Sequence, residues 1–455
     1  MLTSIVSAVI ILGLLILIHE TGHFLVAKRC GVRVLRFSIG YPPKLFGVRR
    51  GETEYVIGGV PFGGYVRMLG DEIGDELSPA DVATYLTEIS QDLVGAADPQ
   101  LKSEASFEER LLLIAQRLGG AEAQASTGTT PAALSLLGRE LKPEEALLLD
   151  EIHHRGSMAE AVKSLSESAP PALKRRISER AFPSQPLHKR FAIVLAGPAA
   201  NLIFAPLALV VVFMYGVPRL LPVLGQVKAG LPAAAAGLKP GDTVLSIDGQ
   251  PIKTWDQLST VVKRSDGSKI KIEYERPDGK SSTHGVAVIQ PTYEEGKSGF
   301  GGTVHQWVIG VLPRGDSIVT RVGPMKAVEQ AAVESVNMTG MLLSGMAKIV
   351  SGATPVREAL GGPIMIARIA GEEAHAGFAN VLLFTVTLSL ELGIINLLPV
   401  PMLDGGHLAF FVIEGLRGKP LHVRHREIAQ QVGLFLLVIL MAFAIFNDIS
   451  RIVQG

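Results

Sequence analysis

The stretch MLTSIVSAVIILGLLILIHETGHFLVAKR, residues 1–29, decides how the rest of the chain is read. It carries no charge from Met1 to Ile18 and then presents His19, Glu20, Thr21, Gly22 and His23. Helix positions four apart lie one turn above each other, so His19 and His23 can offer two imidazoles to one ion with Glu20 beside it. In a soluble protein the bland reading is a helix surface with two solvated histidines. Within an apolar segment, ionisable side chains are costly and mark function. The expectation is therefore a zinc site built into a membrane span.

Further stretches near the ~20 residues that a bilayer core requires run from Phe191 to Val217, Ala379 to Leu398 and Val432 to Phe446; with Leu2 to Ala27 they predict four spans. The first has no basic start and is followed by Lys28, Arg29 and Cys30 instead of a small-residue cleavage site, so it is expected to stay in the mature chain. Lys28, Arg29, Arg33 and Arg36 follow span one, Lys189 and Arg190 precede span two, and Arg417, Lys419, Arg424 and Arg426 separate spans three and four. These flanks are expected to face the cytoplasm. Both termini and the stretch between spans two and three then lie outside.

A formal net charge of zero, with no basic cluster interleaved with aromatics, gives no support to nucleic-acid binding. The single cysteine, Cys30, excludes an internal disulfide. Glu54 to Met68 (EYVIGGVPFGGYVRM) alternates β-formers with paired glycines and reads as a hairpin or curved loop, tolerated beside a membrane where it packs on protein or lines a polar cavity. Residues 71–185 shift to charge, alanine and serine, with helical pieces at Phe107 to Leu118 and Pro143 to His153. This reads as a cytoplasmic helical insert; the adjacent His153 and His154 point to different sides of a helix and are better read as solvated than as a ligand pair. Past span two, Gly225 to Ile289 returns to short strands and turns, and Arg276-Pro-Asp-Gly-Lys280 signals a hairpin. Pro324 to Val350 has a helical pattern suited to a membrane surface or to core packing.

Catalytic zinc normally takes three protein ligands and keeps one position for water, so two histidines leave one ligand to find. The best candidate ends span three: Asn396-Leu-Leu-Pro-Val-Pro-Met-Leu-Asp404-Gly-Gly-His407. Its prolines and glycines are expected to break the helix and turn a carboxylate inward. Asp404 is the expected third ligand, and His407 competes.

Taken together, these motifs resemble the site-2 protease family, the intramembrane zinc metalloproteases, in the bacterial regulator-of-sigma-E type. The elements that carry the likeness are HETGH, the EYVIGGVPFGGYVRM loop, Gly197-Pro-Ala-Ala-Asn201, Gly361-Gly-Pro363, NLLPVPMLDGG, and a region similar to a PDZ domain in Pro232 to Asp242 with Ile247-Asp248-Gly249. The resemblance implies that His19, His23 and Asp404 bind zinc and that Glu20 is the catalytic base. It further implies that Asn396 holds substrate or transition state and that the loop around Gly63, Gly64 and Tyr65 guides the substrate strand, with Pro399, Pro401 and Glu391 counted among the substrate-binding positions. Gly197, Pro198 and Asn201 are expected to pack span two. Two departures stand out. Many relatives of the sigma-E type carry two tandem PDZ domains where Leu221 to Leu312 has room for one, and position 391 is Glu where asparagine is expected. That carboxyl is open to three readings: protonated, touching substrate, or facing the zinc region.

The expected fold is a polytopic α-helical membrane protein of about four transmembrane helices, with a membrane-associated β-hairpin loop (33–70) and an α+β PDZ domain (221–312). The helices are placed at 1–28, 186–217, 377–410 and 428–447, with a membrane-associated helical segment at 323–375. The expected activity is hydrolysis of transmembrane segments of single-pass membrane proteins at the bacterial inner membrane, with Zn2+ as cofactor, lipid around the spans and a peptide ligand for the PDZ groove. A membrane-tethered peptidase of soluble chains, a non-catalytic PDZ adaptor and a transporter are the competing readings. Substrate comparison separates the first, a metal-free purified protein would favour the second, and four spans with the Asp404 motif weigh against the third.

Overall fold

The computed structural model describes residues 2–70, 79–96, 106–118, 142–168, 170–278, 281–297, 303–359 and 361–454. In chain order, α1 (Leu2–Arg29) leads into the long strands β1 (Val34–Arg50) and β2 (Thr53–Met68), followed by α2 (Pro79–Ala96), α3 (Phe107–Leu118), α4 (Pro143–Arg155), α5 (Met158–Glu167), α6 (Pro171–Arg180) and α7 (Leu187–Tyr215). Next come β3 (Val217–Leu220), β4 (Leu224–Val227), α8 (Pro232–Ala235), β5 (Thr243–Ile247), β6 (Gln250–Pro251), α9 (Trp255–Lys263), β7 (Ile270–Asp278), β8 (Ser281–Ile289), β9 (Thr292–Lys297), β10 (Thr303–Val308), β11 (Val311–Pro313) and β12 (Ser317–Thr320). The last helices are α10 (Pro324–Val350), α11 (Val356–Ala359), α12 (Pro363–Ala376), α13 (Phe378–Asn396), α14 (Asp404–Arg417) and α15 (Val423–Gln454).

Among these, α1, α7, α13 and α15 are long and apolar enough to cross a membrane, as the composition predicts. At 1.5 Å per residue, the 28 residues of α1 reach ~42 Å, beyond a ~30 Å hydrocarbon core. Leu2, Ile5, Ile10 and Leu14 of α1 and Leu434, Phe435 and Val438 of α15 are exposed apolar side chains, suited to lipid. The helix expected over 377–410 is two helices. Leu397 to Leu403, with Pro399 and Pro401, interrupts it, and α14 starts at Asp404. Helix α15 starts nine residues ahead of the apolar run at Val432, because Arg424, Arg426 and Glu427 are good helix formers that continue the spiral into polar surroundings.

The chain divides into two compact units: Met1–Ala8, Ile203–Glu391 and Ile439–Gly455 in one, Val9–Leu202 and Leu392–Val438 in the other. In the second unit, β1 and β2 form an antiparallel hairpin that turns at Gly51 (φ +61°) and Glu52. Strand β2 folds around β1: Phe37 pairs with both Tyr55 and Val66, and Val48 pairs with Tyr55 again. Of the two readings of Glu54 to Met68, a hairpin or a curved loop, the stretch takes the curved form, one bent strand whose partner lies upstream. Its glycines allow the bend, since a Cβ on Gly58 would meet the Tyr41 carbonyl oxygen at 2.4 Å. Gly64 to Met68 becomes an arm paired with β1 on one side.

Helices α2 to α6 share one core with that hairpin. Leu86, Leu93, Leu111, Ile114, Leu148, Ile152 and Ile177 pack with Leu35 and Leu69 from the hairpin's two ends. At the hairpin turn the Glu52 carboxylate accepts from Lys28 (2.5 Å) and Arg180 (2.7 Å). Burial alone would raise its pKa, but these two partners outweigh burial and hold it below the usual carboxylate range. Arg33 is fully buried with its guanidinium over the Tyr85 ring at 4.9 Å. Burial first, and Glu144 next, push the Tyr85 phenol up to about 12. His153 and His154 are exposed.

In the first unit, a sheet ordered β6-β5-β7-β8 buries Val244, Ile247, Ile272 and Ile289 with Leu258 and Val262 of α9. Strands β7 and β8 pair from Ile270 with Ile289 out to Asp278 with Ser281, the hairpin read from Arg276-Pro-Asp-Gly-Lys280, of which positions 279–280 lie outside the described residues. Thr254 caps α9, its hydroxyl accepting from the Gln257 N–H. Asp448 of α15 accepts from the backbone N–H groups of Gly362, Ile364 and Met365 at 2.9, 3.0 and 3.1 Å, satisfying the start of α12.

Candidate active site

Everything at this site belongs to the second unit. Helix α1 sets His19 and His23 one turn apart, and the break after Asn396 lets α14 begin with Asp404 facing them. His19 Nε2 lies 3.0 Å from Asp404 Oδ2, His23 Nε2 3.5 Å from the same oxygen, and the two Nε2 atoms 3.2 Å from each other. Both imidazoles are buried. Among the described residues this is the one group of three His, Cys, Asp or Glu side chains whose donor atoms all converge within 4.8 Å.

The chemistry of that convergence can be tested. His23 Nδ1 lies 2.8 Å from the Ile193 carbonyl oxygen, which only accepts, so Nδ1 carries the proton and the neutral ring turns a bare Nε2 lone pair inward. Three electron-rich atoms then face one point, which only a proton or a cation makes favourable. A tetrahedral ion with bonds of ~2.0–2.1 Å spaces its donors by roughly 3.3 Å, and the observed separations of 3.0 to 3.5 Å bracket that value. The donor set fits zinc.

Close backbone packing holds the rings in place. A Cβ on Gly22 would meet the Ala196 carbonyl oxygen at 2.2 Å, so glycine lets α1 and α7 touch. A Cβ on Gly197 would sit 2.2 Å from His23 Nε2, so the imidazole occupies the room a side chain would need. Gly405 and Gly406 do not break the helix as expected; they lie in the first turn of α14. A Cβ there would strike the Leu398 carbonyl at 2.1 Å and the Val400 carbonyl at 2.4 Å, so the pair lets α14 fold tightly back on the preceding loop. His407 is half-buried on α14, outside the converging group.

Glu20 is 9% exposed, beside the two histidines on α1. The Val66 backbone N–H bonds to its carboxylate, and a Cβ on Gly64 would lie 3.0 Å from Glu20 Cγ. The Gly64 to Met68 arm of β2 thus runs against the site. Tyr65 accepts a hydrogen bond from Arg36 at 3.3 Å, and a Cβ on Gly63 would meet the Tyr41 ring at 2.1 Å. Asn396 is half-buried at the last residue of α13, Pro399 is exposed, and the Pro401 carbonyl packs where Gly433 of α15 lacks a side chain. Glu391 is half-buried on α13 in the first unit and is not a member of the converging group.

Asn201 is the residue whose part the sequence reading missed. Its side-chain amide is 3.3 Å from His19 Nδ1 and fully buried. With the amide turned so that its oxygen accepts from an Nδ1 proton, Asn201 sets the tautomer that frees His19 Nε2. The available signal was an uncharged polar side chain one turn past Gly197 within an apolar span.

Four membrane-spanning helices and a converging His-His-Asp group beside a buried glutamate define an integral membrane protein of the metallopeptidase class. Residues 7–440 match peptidase family M50, and the chain belongs to that family. It is 33% identical over 473 residues to the regulator of sigma-E protease RseP of Salmonella typhimurium, covering 99% of each chain. It is 30% identical over 451 residues to the regulator of sigma-W protease RasP of Bacillus subtilis, again covering 99% of each. Zinc metalloprotease RasP of Geobacillus kaustophilus is 29% identical over 462 residues, covering 99% of this chain and 98% of that one.

Proposed function

We propose that the protein is a zinc-dependent endopeptidase of the bacterial inner membrane that cleaves transmembrane segments of single-pass membrane proteins, such as anti-sigma factors or remnant signal peptides. The observation that carries this reading is the convergence of His19, His23 and Asp404 next to Glu20 on an apolar helix. The likeness to regulators of sigma-E and sigma-W and to a zinc metalloprotease supports the metal and a role in sigma-factor regulation.

His19, His23 and Asp404 would hold zinc, which when bound supplies Lewis acidity that lowers the pKa of water and polarises a carbonyl. Glu20 takes the proton of the attacking water and returns it to the leaving amine. The Val66 N–H fixes the carboxylate for that transfer. A helical substrate hides its carbonyls in internal hydrogen bonds and must unwind. Strand addition to the β2 arm, along Gly63, Gly64 and Tyr65, offsets that loss. Asn396, Pro399 and Pro401 border the substrate path.

Lys28, Arg29, Lys189, Arg190, Arg417, Lys419, Arg424 and Arg426 support an orientation with the site toward the cytoplasm and both termini outside. Residues 221–312 are read as one external PDZ domain. A groove of about 250 Å³ lined by Leu231, Trp255, Leu258 and Val262 suits an extended peptide. Replacing Glu20 with Gln tests the mechanism. The variant should keep one zinc per chain and lose roughly 10²–10⁴-fold in cleavage of a membrane-embedded reporter; wild-type turnover would remove Glu20 from the reaction.

A further inference from the structure

In the first unit, the ribbon of β3 and β12 leads straight off span α7. Gly216, at φ +120°, ends the helix with its N–H on the Val212 carbonyl at 2.8 Å. The Val322 N–H reaches back to the Phe213 carbonyl at 3.2 Å, so both strands are tied to the last turn of the span. Val217 pairs with Thr320 and Arg219 with Ile318. Residues directly opposite, and residues two apart along a strand, share a face, so these four point to one side of the ribbon. There they meet Lys253, just ahead of α9, and Lys326 of α10 around a cavity of about 440 Å³.

Arg219, Lys253 and Lys326 all border this cavity, and no carboxylate lines it; Asp256 and Glu329, on the same two helices, are exposed outside it. Among the described residues none of the three cationic groups has an ion-pair or hydrogen-bond partner. Like charges around one space repel, and an anion among them turns that repulsion into attraction. Much of the remaining wall is apolar, from Phe213, Val217, Ile318 and Val322. A soluble anion would leave that wall against water. An amphiphile with an anionic head next to hydrocarbon covers both parts.

The place fits such a ligand. Arg219 is the first charged residue after Arg190, across the whole apolar run of span α7. Tyr215, the last residue of α7, sets its ring 5.3 Å from that of Phe378, the first residue of span α13, so the two spans leave the apolar layer together, with an aromatic of the kind that sits among headgroups. Met325 and Val328, beside Lys326, are exposed apolar side chains. We propose that the cavity binds an acidic phospholipid, with the phosphate among Arg219, Lys253 and Lys326 and the glycerol and first methylenes against Phe213, Val217, Ile318 and Val322. Each cation is worth about fivefold in affinity for an anionic lipid. The inference uses no step of peptide hydrolysis and stands apart from the peptidase reading.

The test uses full-length protein in neutral detergent, phosphatidylglycerol and phosphatidylcholine as probes, and native mass spectrometry to count bound lipid. Wild type should hold one phosphatidylglycerol per chain at least ~10-fold more tightly than phosphatidylcholine. Lys253→Gln combined with Lys326→Gln changes two exposed side chains and should weaken phosphatidylglycerol by about 25-fold at unchanged melting temperature; adding Arg219→Gln should bring the loss to roughly 10²-fold. Should the triple variant melt early, the double variant decides. Lys269→Gln makes the same charge change on an exposed side chain away from the cavity and should bind as wild type does. A wild type without preference for the acidic lipid overturns the proposal, as does a double variant that binds as tightly as wild type or a Lys269→Gln variant that loses as much. Displacement of the lipid by millimolar inorganic phosphate would assign the cavity to a free anion, and displacement by a soluble glutamate-rich peptide would assign it to an acidic chain; either result also overturns the lipid assignment.

Discussion

Replacing Gly197 with Ala should disable the site without substituting any proposed ligand or the proposed base. The new Cβ would stand 2.2 Å from His23 Nε2, whereas ordinary contact begins near 3.4 Å, so helix or ring must move by about 1.2 Å. The helix has little freedom to yield, because Gly22 already brings α1 against the Ala196 carbonyl. The imidazole therefore moves, and it loses its 2.8 Å hydrogen bond to the Ile193 carbonyl as it does. Metal sites tolerate about ±0.2 Å in bond length, and a ~1 Å misplacement of a reacting group costs about 10²-fold in rate. We expect zinc content to fall below half at sub-micromolar free zinc, and kcat/KM on a transmembrane reporter to fall by at least ~10²-fold. Metal analysis of purified protein and a gel-based cleavage assay read the two effects. Gly340→Ala, on an exposed turn of α10 with nothing within 4 Å of the new Cβ, is the control and should match wild type. Full zinc content and wild-type turnover in Gly197→Ala would refute the reasoning.

Asp404→Ala should reduce both metal content and activity; unchanged zinc stoichiometry would point to His407 or Glu391 as the third donor instead. Glu52 links α1, the hairpin turn and α6, and its folded pKa lies below the ordinary 4.5. Its stabilising contribution is therefore complete above that ordinary value and lost as pH falls through the lower folded value, so the acid-side decline in melting temperature between pH 5 and pH 3 should flatten in Glu52→Gln; an unchanged acid limb would remove Glu52 from the clamp. The same substitution should destabilise at neutral pH by about 1–2 kcal/mol, hydrogen bonds to charged groups discounted for partial exposure. Asp448→Ala strands three backbone N–H groups at the start of α12 and should cost about 2–4 kcal/mol in chemical denaturation, with Asp448→Asn near half of that.

Features written in local composition were legible. The four apolar runs appear as the four spanning helices, and the helical piece read at Phe107 is a helix from Phe107 through Leu118. The spacing of His19 and His23 on one helix face follows from the 3.6-residue turn alone. Contacts between distant segments were not legible. Glycine pairs signal a bend or a break equally well, and only the carbonyls of Leu398 and Val400 decide that Gly405 and Gly406 stay helical. The hairpin partner of Glu54 to Met68 lies across Gly51, in a strand that local alternation does not mark. Asn201 reaches the site through tertiary packing, from a second span, and no spacing rule connects positions 19 and 201.

The central claim is that two imidazoles and one carboxylate hold a single ion, and X-ray absorption spectroscopy of the purified, zinc-loaded protein tests it most directly. The account predicts one zinc per chain with a first shell of two imidazole nitrogens and one or two oxygens at ~2.0–2.1 Å, losing one imidazole in His23→Ala. A chain that takes up no zinc, or a shell without imidazole scattering, would contradict it.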